Sequence, residues 1–91
     1  LHTGNLTVRS QMANLENSIG NVWRTCDRLE HSLAAYERAL QLGLHHDPDL
    51  YACIENNRGL TLRHVGRTEE AIAAFLHATE LWTREGEPDL Q

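Results

Sequence analysis

Lysine is absent from this 91-residue chain. All eight bases are arginine, set against thirteen Asp and Glu for a formal charge of −5. An acid-rich chain of this kind is a poor match to nucleic acid, whose phosphates call for a basic stripe. Long hydrophobic runs are also missing. Ala71–Leu76 is among the longest, far short of the roughly 20 apolar residues of a membrane span. Cys26 and Cys53 each stand alone, without the paired spacing of zinc or redox motifs, so two reduced structural thiols in a cytoplasmic protein are expected. No glycine-rich phosphate loop follows a strand signal, and no Ser/Cys–His–Asp set can be argued, which disfavours an enzyme. No basic, apolar, small-residue leader opens the chain, and its start at Leu1 leads us to expect a segment of something longer.

With 41% hydrophobic and 23% charged residues, the composition is that of an ordinary globular protein, long enough for one small domain over residues 1–91. Its organising feature is an internal repeat. Shifted by 39 positions, residues 13–42 align with 52–81 without a gap, giving eleven identities in thirty pairs. They include Glu16/Glu55, Gly20/Gly59, Arg28/Arg67, Ala39/Ala78 and Leu42/Leu81, with Leu15/Ile54, Leu33/Ile72 and Tyr36/Phe75 conservative. Asp47-Pro48-Asp49-Leu50 recurs as Glu87-Pro88-Asp89-Leu90. We therefore expect repeat 1 over about 13–47, repeat 2 over about 48–86 and the start of a third at 87–91.

Each unit reads as two antiparallel helices, and the spacing predicts helices near 7–26, 29–43, 49–65 and 68–85 with no sheet. Asp47 can cap a helix with Pro48 at its first position, and Gly66 can end that helix in the left-handed conformation. Asp27 stands at the equivalent turn of the first unit, and Thr68 is expected to cap the last helix. Ala71, Ala74, Phe75, Ala78 and Leu81 form one apolar stripe, matched by Ser32, Ala35, Tyr36, Ala39 and Leu42. Gly20 and Gly59 allow the helices to approach closely, Ala39 and Ala78 keep the crossing thin, and Tyr36 and Phe75 fill the space between hairpins.

Gly20, Trp23, Ser32, Tyr36, Ala39 and then Gly59, Leu62, Ala71, Phe75, Ala78 make a pattern that resembles the tetratricopeptide repeat. The resemblance implies an all-α fold of stacked antiparallel hairpins in a right-handed superhelix, here with two complete repeats. The period departs from the family's usual length of about 34. Longer second helices, with Gly43–Asp47 and Trp82–Glu87 in place of a short proline turn, would account for the difference. Ile19 and Arg58 differ before the glycine, and Glu16 and Glu55 stand where the family often has an aromatic. The long period is similar to arrays in signal-sensing bacterial transcription activators and some scaffold proteins.

The resemblance also implies that the first helix of each hairpin lines a concave groove. Its lining would be Asn14, Asn17, Asn21 and Arg24 in the first unit, and Cys53, Asn56, Asn57, Leu60 and Arg63 in the second. Such a face suits peptide recognition, since each Asn offers a donor and an acceptor and each Arg can clasp a carboxylate or phosphate. The alternatives are a solvated polar face and hydrogen bonds between the repeats. Asn21 and Asn57 match the asparagines of family members that clamp chaperone tails, but Asn17 occupies the lysine position, which argues against that ligand. His45, His46, Asp47 and Asp49 resemble metal ligands. Adjacent histidines rarely meet one ion, so a polar loop is expected, with no metal and no cofactor.

The expected function is protein–protein interaction through the concave groove or a repeat edge, with a peptide or protein partner, an acidic one being among the options, and without nucleic acid or membrane. The alternative is an effector-sensing domain of a bacterial transcription regulator. Two repeats leave uncovered edges: the last helix carries Ile72, Leu76 and Leu81, with Trp82 and Leu90 nearby. Self-association through these edges, as a homo-oligomer, is therefore expected, or else marginal stability.

Overall fold

The computed structural model describes residues 5–86. Four helices follow in order: α1 Leu6–Thr25, α2 Leu29–Leu40, α3 Pro48–His64 and α4 Thr68–Gly86, with no strand among the described residues. None of these helices is long and apolar enough to cross a membrane. The Glu87–Gln91 stretch, expected to open a third repeat, and Leu90 with it, lie outside the described residues.

The two hairpins close by the same turn. Arg28 N–H donates to the Trp23 carbonyl and Asp27 N–H to that of Arg24, while Arg67 donates to Leu62 and Gly66 to Arg63. This paired pattern satisfies the last carbonyls of α1 and α3 and needs a left-handed residue at its centre. Asp27 (φ 63°) and Gly66 (φ 88°) take that role, as expected. Thr68, however, is not the cap of α4. The Arg67 carbonyl already accepts from Ala71 N–H, which makes Arg67 the cap and Thr68 the first helical residue. The turn is so tight that one arginine ends one helix and begins the next. Asp47 does cap α3, accepting from Leu50 N–H at 3.3 Å, with Pro48 following.

Gly20 and Gly59 are required by the crossings. A Cβ on Gly20 would run into the ring of Tyr36, and one on Gly59 would lie 2.7 Å from Cε1 of Phe75. Within each hairpin a carboxylate on the first helix also braces a base on the second. Glu16 accepts from Arg38 Nε at 3.1 and 3.2 Å, and Glu55 lies 2.7 Å from His77 Nδ1. Residues 38 and 77 are themselves 39 apart, so this strut belongs to the repeat and gives Glu16 and Glu55 a shared role.

α2 does not reach residue 43. It has 12 residues against the 20 of α1, so a longer second helix does not account for the extra period in the first unit. The extra residues form a folded loop. Gly43 turns the chain at φ 76° and delivers Leu44 into a cluster with Ala13, Tyr36, Ala39 and Ile54. Leu44 is 2% exposed. Burying such a side chain contributes about 2 kcal/mol, which a straight continuation of α2 would forgo.

The joint between hairpins is made by α2 on α3, with α1 touching α3. Ile54 of α3 reaches the first hairpin's cluster, and Leu33 of α2 reaches Leu62, Ala71 and Ala74 of the second. Leu81, expected at an open edge, is instead buried with Ala52 and Ala78.

Candidate binding face on α1 and α3

The asparagine-rich face divides into residues that hold the fold and residues that are free to act. Asn17 is buried, and its Oδ1 accepts from Asn57 Nδ2 at 3.0 Å, which ties α1 to α3 across the joint. Asn21 Oδ1 accepts from the Tyr36 hydroxyl at 2.5 Å and from Arg24 Nη2 at 3.4 Å. The Asn17–Asn57 pair is thus a hydrogen bond between the repeats, the alternative that the sequence left open, whereas Asn21 is engaged within its own hairpin. Asn14 is exposed, Asn56 half-buried and Arg63 exposed, and none makes a side-chain hydrogen bond among the described residues. Arg24 is half-buried, with its Nη1 enclosed and lacking an acceptor.

An open groove of about 390 Å³ runs between the N-terminal halves of α1 and α3, lined by Thr7, Gln11, Asn14, Leu50, Cys53 and the carboxylates Asp47 and Asp49. Arg24 and Arg63 stand in the last turns of the same two helices. The face thus carries acids at Asp47 and Asp49 where α3 begins and bases at Arg24 and Arg63 where both helices end, while the first turn of α1 holds no acid. From Ser10 to Arg24 is fourteen residues, or roughly 21 Å of helix.

The mouth of this groove holds a cluster that sequence spacing did not reveal. Ser10 Oγ donates to Asp47 Oδ2 at 2.8 Å and lies 3.0 Å from His46 Nε2, and the same Nε2 is 3.1 Å from the Leu6 carbonyl. Three residue types of a hydrolytic triad meet here, but in the wrong order. The carboxylate holds the serine rather than the histidine, and its other oxygen caps α3. The arrangement pins the start of α1 to the loop before α3. The sequence marks Asp47 as a cap and His46 and Asp47 as part of a polar loop, but nothing in it links them to Ser10.

A chain this similar to itself resembles nothing else in the comparisons. No family model, curated protein or solved structure matches it.

Behind the groove, Glu55 is buried between Arg58 Nη1 at 3.2 Å and His77 Nδ1 at 2.7 Å. The Tyr51 ring packs edge-on against those of His77 and His45. Burial raises the Tyr51 hydroxyl above its ordinary range, and the Glu55 charge adds to the rise. A cleft of about 180 Å³ lies beside this network, lined by His45, Pro48, Tyr51, Leu81 and Arg84. Among the described residues no three His, Cys, Asp or Glu are grouped to hold a metal ion; His45, His46, Asp47 and Asp49 form no such set.

Proposed function

We propose that the chain is a protein-interaction module of the tetratricopeptide kind, whose α1/α3 face takes a short peptide segment of a partner protein. The observation that carries this reading is the division of labour on that face. Asn17, Asn21 and Asn57 are spent on holding α1, α2 and α3 together, while Asn14, Asn56 and Arg63 remain free on the frame so fixed. A face held rigid before binding loses little entropy on binding.

The charge pattern orients the partner. Its acidic end belongs at Arg24 and Arg63, and a basic or neutral end at Asp47 and Asp49. At about 3.3 Å per extended residue, the stretch of face from Ser10 to Arg24 suits a segment of roughly six residues, the groove itself taking its first part. The effector-sensing alternative draws less support: the cleft beside Tyr51 holds only about 180 Å³, and the 390 Å³ groove, though within the roughly 300–1,000 Å³ usual for small-molecule sites, is open where such sites enclose most of their ligand.

Fluorescence anisotropy with labelled octapeptides tests this reading, using one peptide with lysines at one end and glutamates at the other, and a Gly/Ser control. We expect binding of the dipolar peptide alone, weakened about tenfold by Arg24→Ala or Arg63→Ala with melting temperature nearly unchanged. Binding that ignores both substitutions would move the site off this face.

A further inference from the structure

The two ends of the hairpin stack carry exposed apolar residues, and the repeat itself identifies what they match. On α1, Met12, Leu15 and Val22 are 51%, 63% and 61% exposed. Shifted by 39, they correspond to Tyr51, Ile54 and Thr61 of α3, which are half-buried, fully buried and fully buried at the joint between hairpins. At the other end, Ile72 of α4 is 51% exposed, whereas its equivalent Leu33 is 3% exposed in the same joint. Each end thus presents one half of the contact that the molecule already makes internally.

The geometry points to a second copy of this chain as the occupant, with the α1 edge of one copy on the α4 edge of the next, repeating the internal joint head to tail. Leu15 of the incoming copy takes the place of Ile54 and packs against Phe75 and Ala78, the equivalents of Tyr36 and Ala39. The residue pairs change together in a way that favours this match. Across the internal joint, Ser32 Oγ and Thr61 Oγ1 lie 3.2 Å apart as a buried polar pair. The equivalent pair in the outer joint is Ala71 with Val22, both apolar, so neither side leaves a hydroxyl without a partner. Charge agrees as well. Inside the molecule the charge of Arg67 is met first by Glu70 of its own helix and then, across the joint, by Glu30 and Glu37; outside, Arg28 of the incoming copy would face Glu69, the equivalent of Glu30, while Leu76 stands in place of Glu37. The inference rests on these equivalences; it shares with the peptide reading only Asn56, the equivalent of Asn17, which would face Ser18 of the incoming copy.

A head-to-tail contact uses two different surfaces, so it generates an open array rather than a closed pair. Sedimentation velocity over a concentration series, on the wild-type chain and on Leu15→Glu and Ile72→Glu, tests it. Val22→Glu duplicates the first variant, and far-UV circular dichroism confirms folding of each. The mass of the wild type should climb with concentration without a plateau at the dimer. Each variant alone, with one edge blocked, should stay monomeric where the wild type is associated, its affinity down about tenfold or more. An equimolar mixture of Leu15→Glu and Ile72→Glu should then form a dimer and stop, because one intact edge of each kind remains. A wild type that stays monomeric, a mixture that stays monomeric, or a single variant that still dimerises through like edges would each overturn the proposal.

Discussion

The two hairpins are built from the same pieces but occupy different places, and Tyr36 and Phe75 show the consequence. Both rings lie over a glycine of the preceding helix. Tyr36 is fully buried, because α3 covers it and Leu44 closes over it, and its hydroxyl reaches Asn21. Phe75 keeps the same crossing yet stays half-exposed, since no further helix lies on its outer side among the described residues. A side chain's energetic weight in a stacked array therefore comes from its neighbours as much as from its own hairpin.

Truncating the two rings should produce the largest difference. Tyr36→Ala opens a cavity in a closed cluster and also strands Asn21, for a cost of about 3–5 kcal/mol. Phe75→Ala removes a ring that solvent already reaches, so its cost should be about half as large. The glycines beneath should follow the same order. A methyl group at Gly20 meets a ring with no room to retreat and should cost about 1–3 kcal/mol. At Gly59 the ring of Phe75 has open space to swing into, which makes the change milder. Urea unfolding of the four variants measures this, and equal costs at equivalent positions would break the comparison between hairpins.

The carboxylate struts sharpen the comparison at intermediate scale. Glu16 pairs with an exposed Arg38, so Glu16→Ala should cost no more than about 1 kcal/mol. Glu55 is buried, and its loss would leave Arg58, whose Nε already lacks an acceptor, and His77 without their shared partner. Glu55→Ala should cost about 1–3 kcal/mol. Denaturant midpoints for the two variants that coincide would show that burial of the second strut contributes nothing extra.

Most of the hairpin architecture was legible because it is periodic. The 39-residue shift, the turns at Asp27 and Gly66 and the small residues at the crossings can all be read along the chain. What was not legible is aperiodic or distant. Leu44 shares its loop with Leu42, and nothing local marks Leu44 as the plug for a cluster built from three helices. The cap of α4 moved to Arg67 because the closing turn of α3 fills the position where a separate cap would stand. The binding face was legible as a polar stripe on α1, but not which amides were already engaged, since their partners sit on other helices: Asn57 for Asn17 and Tyr36 for Asn21. The α1 edge was missed for a related reason. That helix is apolar on two faces, and only packing shows that Ala13 and Gly20 face inward while Leu15 and Val22 face out.

The smallest expected effect lies at the start of α4, where Glu70 stands in one hairpin and His31 in the other. Arg67 caps the helix and donates to Glu70 from Nε at 2.6 Å and Nη2 at 2.9 Å. The equivalent Arg28 has His31 at the position of Glu70, and no such carboxylate. The hydrogen bond from Arg67 holds the Glu70 carboxyl below its usual range, outweighing the opposing effect of desolvation. A carboxylate depressed on folding stabilises the protein above its unfolded pKa, and that contribution fades as pH falls through the lower folded value. Because both side chains are open to solvent, the contribution is small. Wild type and Glu70→Gln should therefore differ slightly in melting temperature at neutral pH and converge in acid, with the convergence lying below the ordinary carboxylate range. Added salt should shrink the neutral-pH difference as well, since the pair is exposed. The control is His31→Gln in the first hairpin, where no carboxylate is lost, so no acid convergence of this kind should appear. A Glu70→Gln difference that persists unchanged into strong acid would mean that the side chain stabilises α4 by packing or helix propensity, and that the arginine–glutamate pair adds nothing to the second hairpin that the first one lacks.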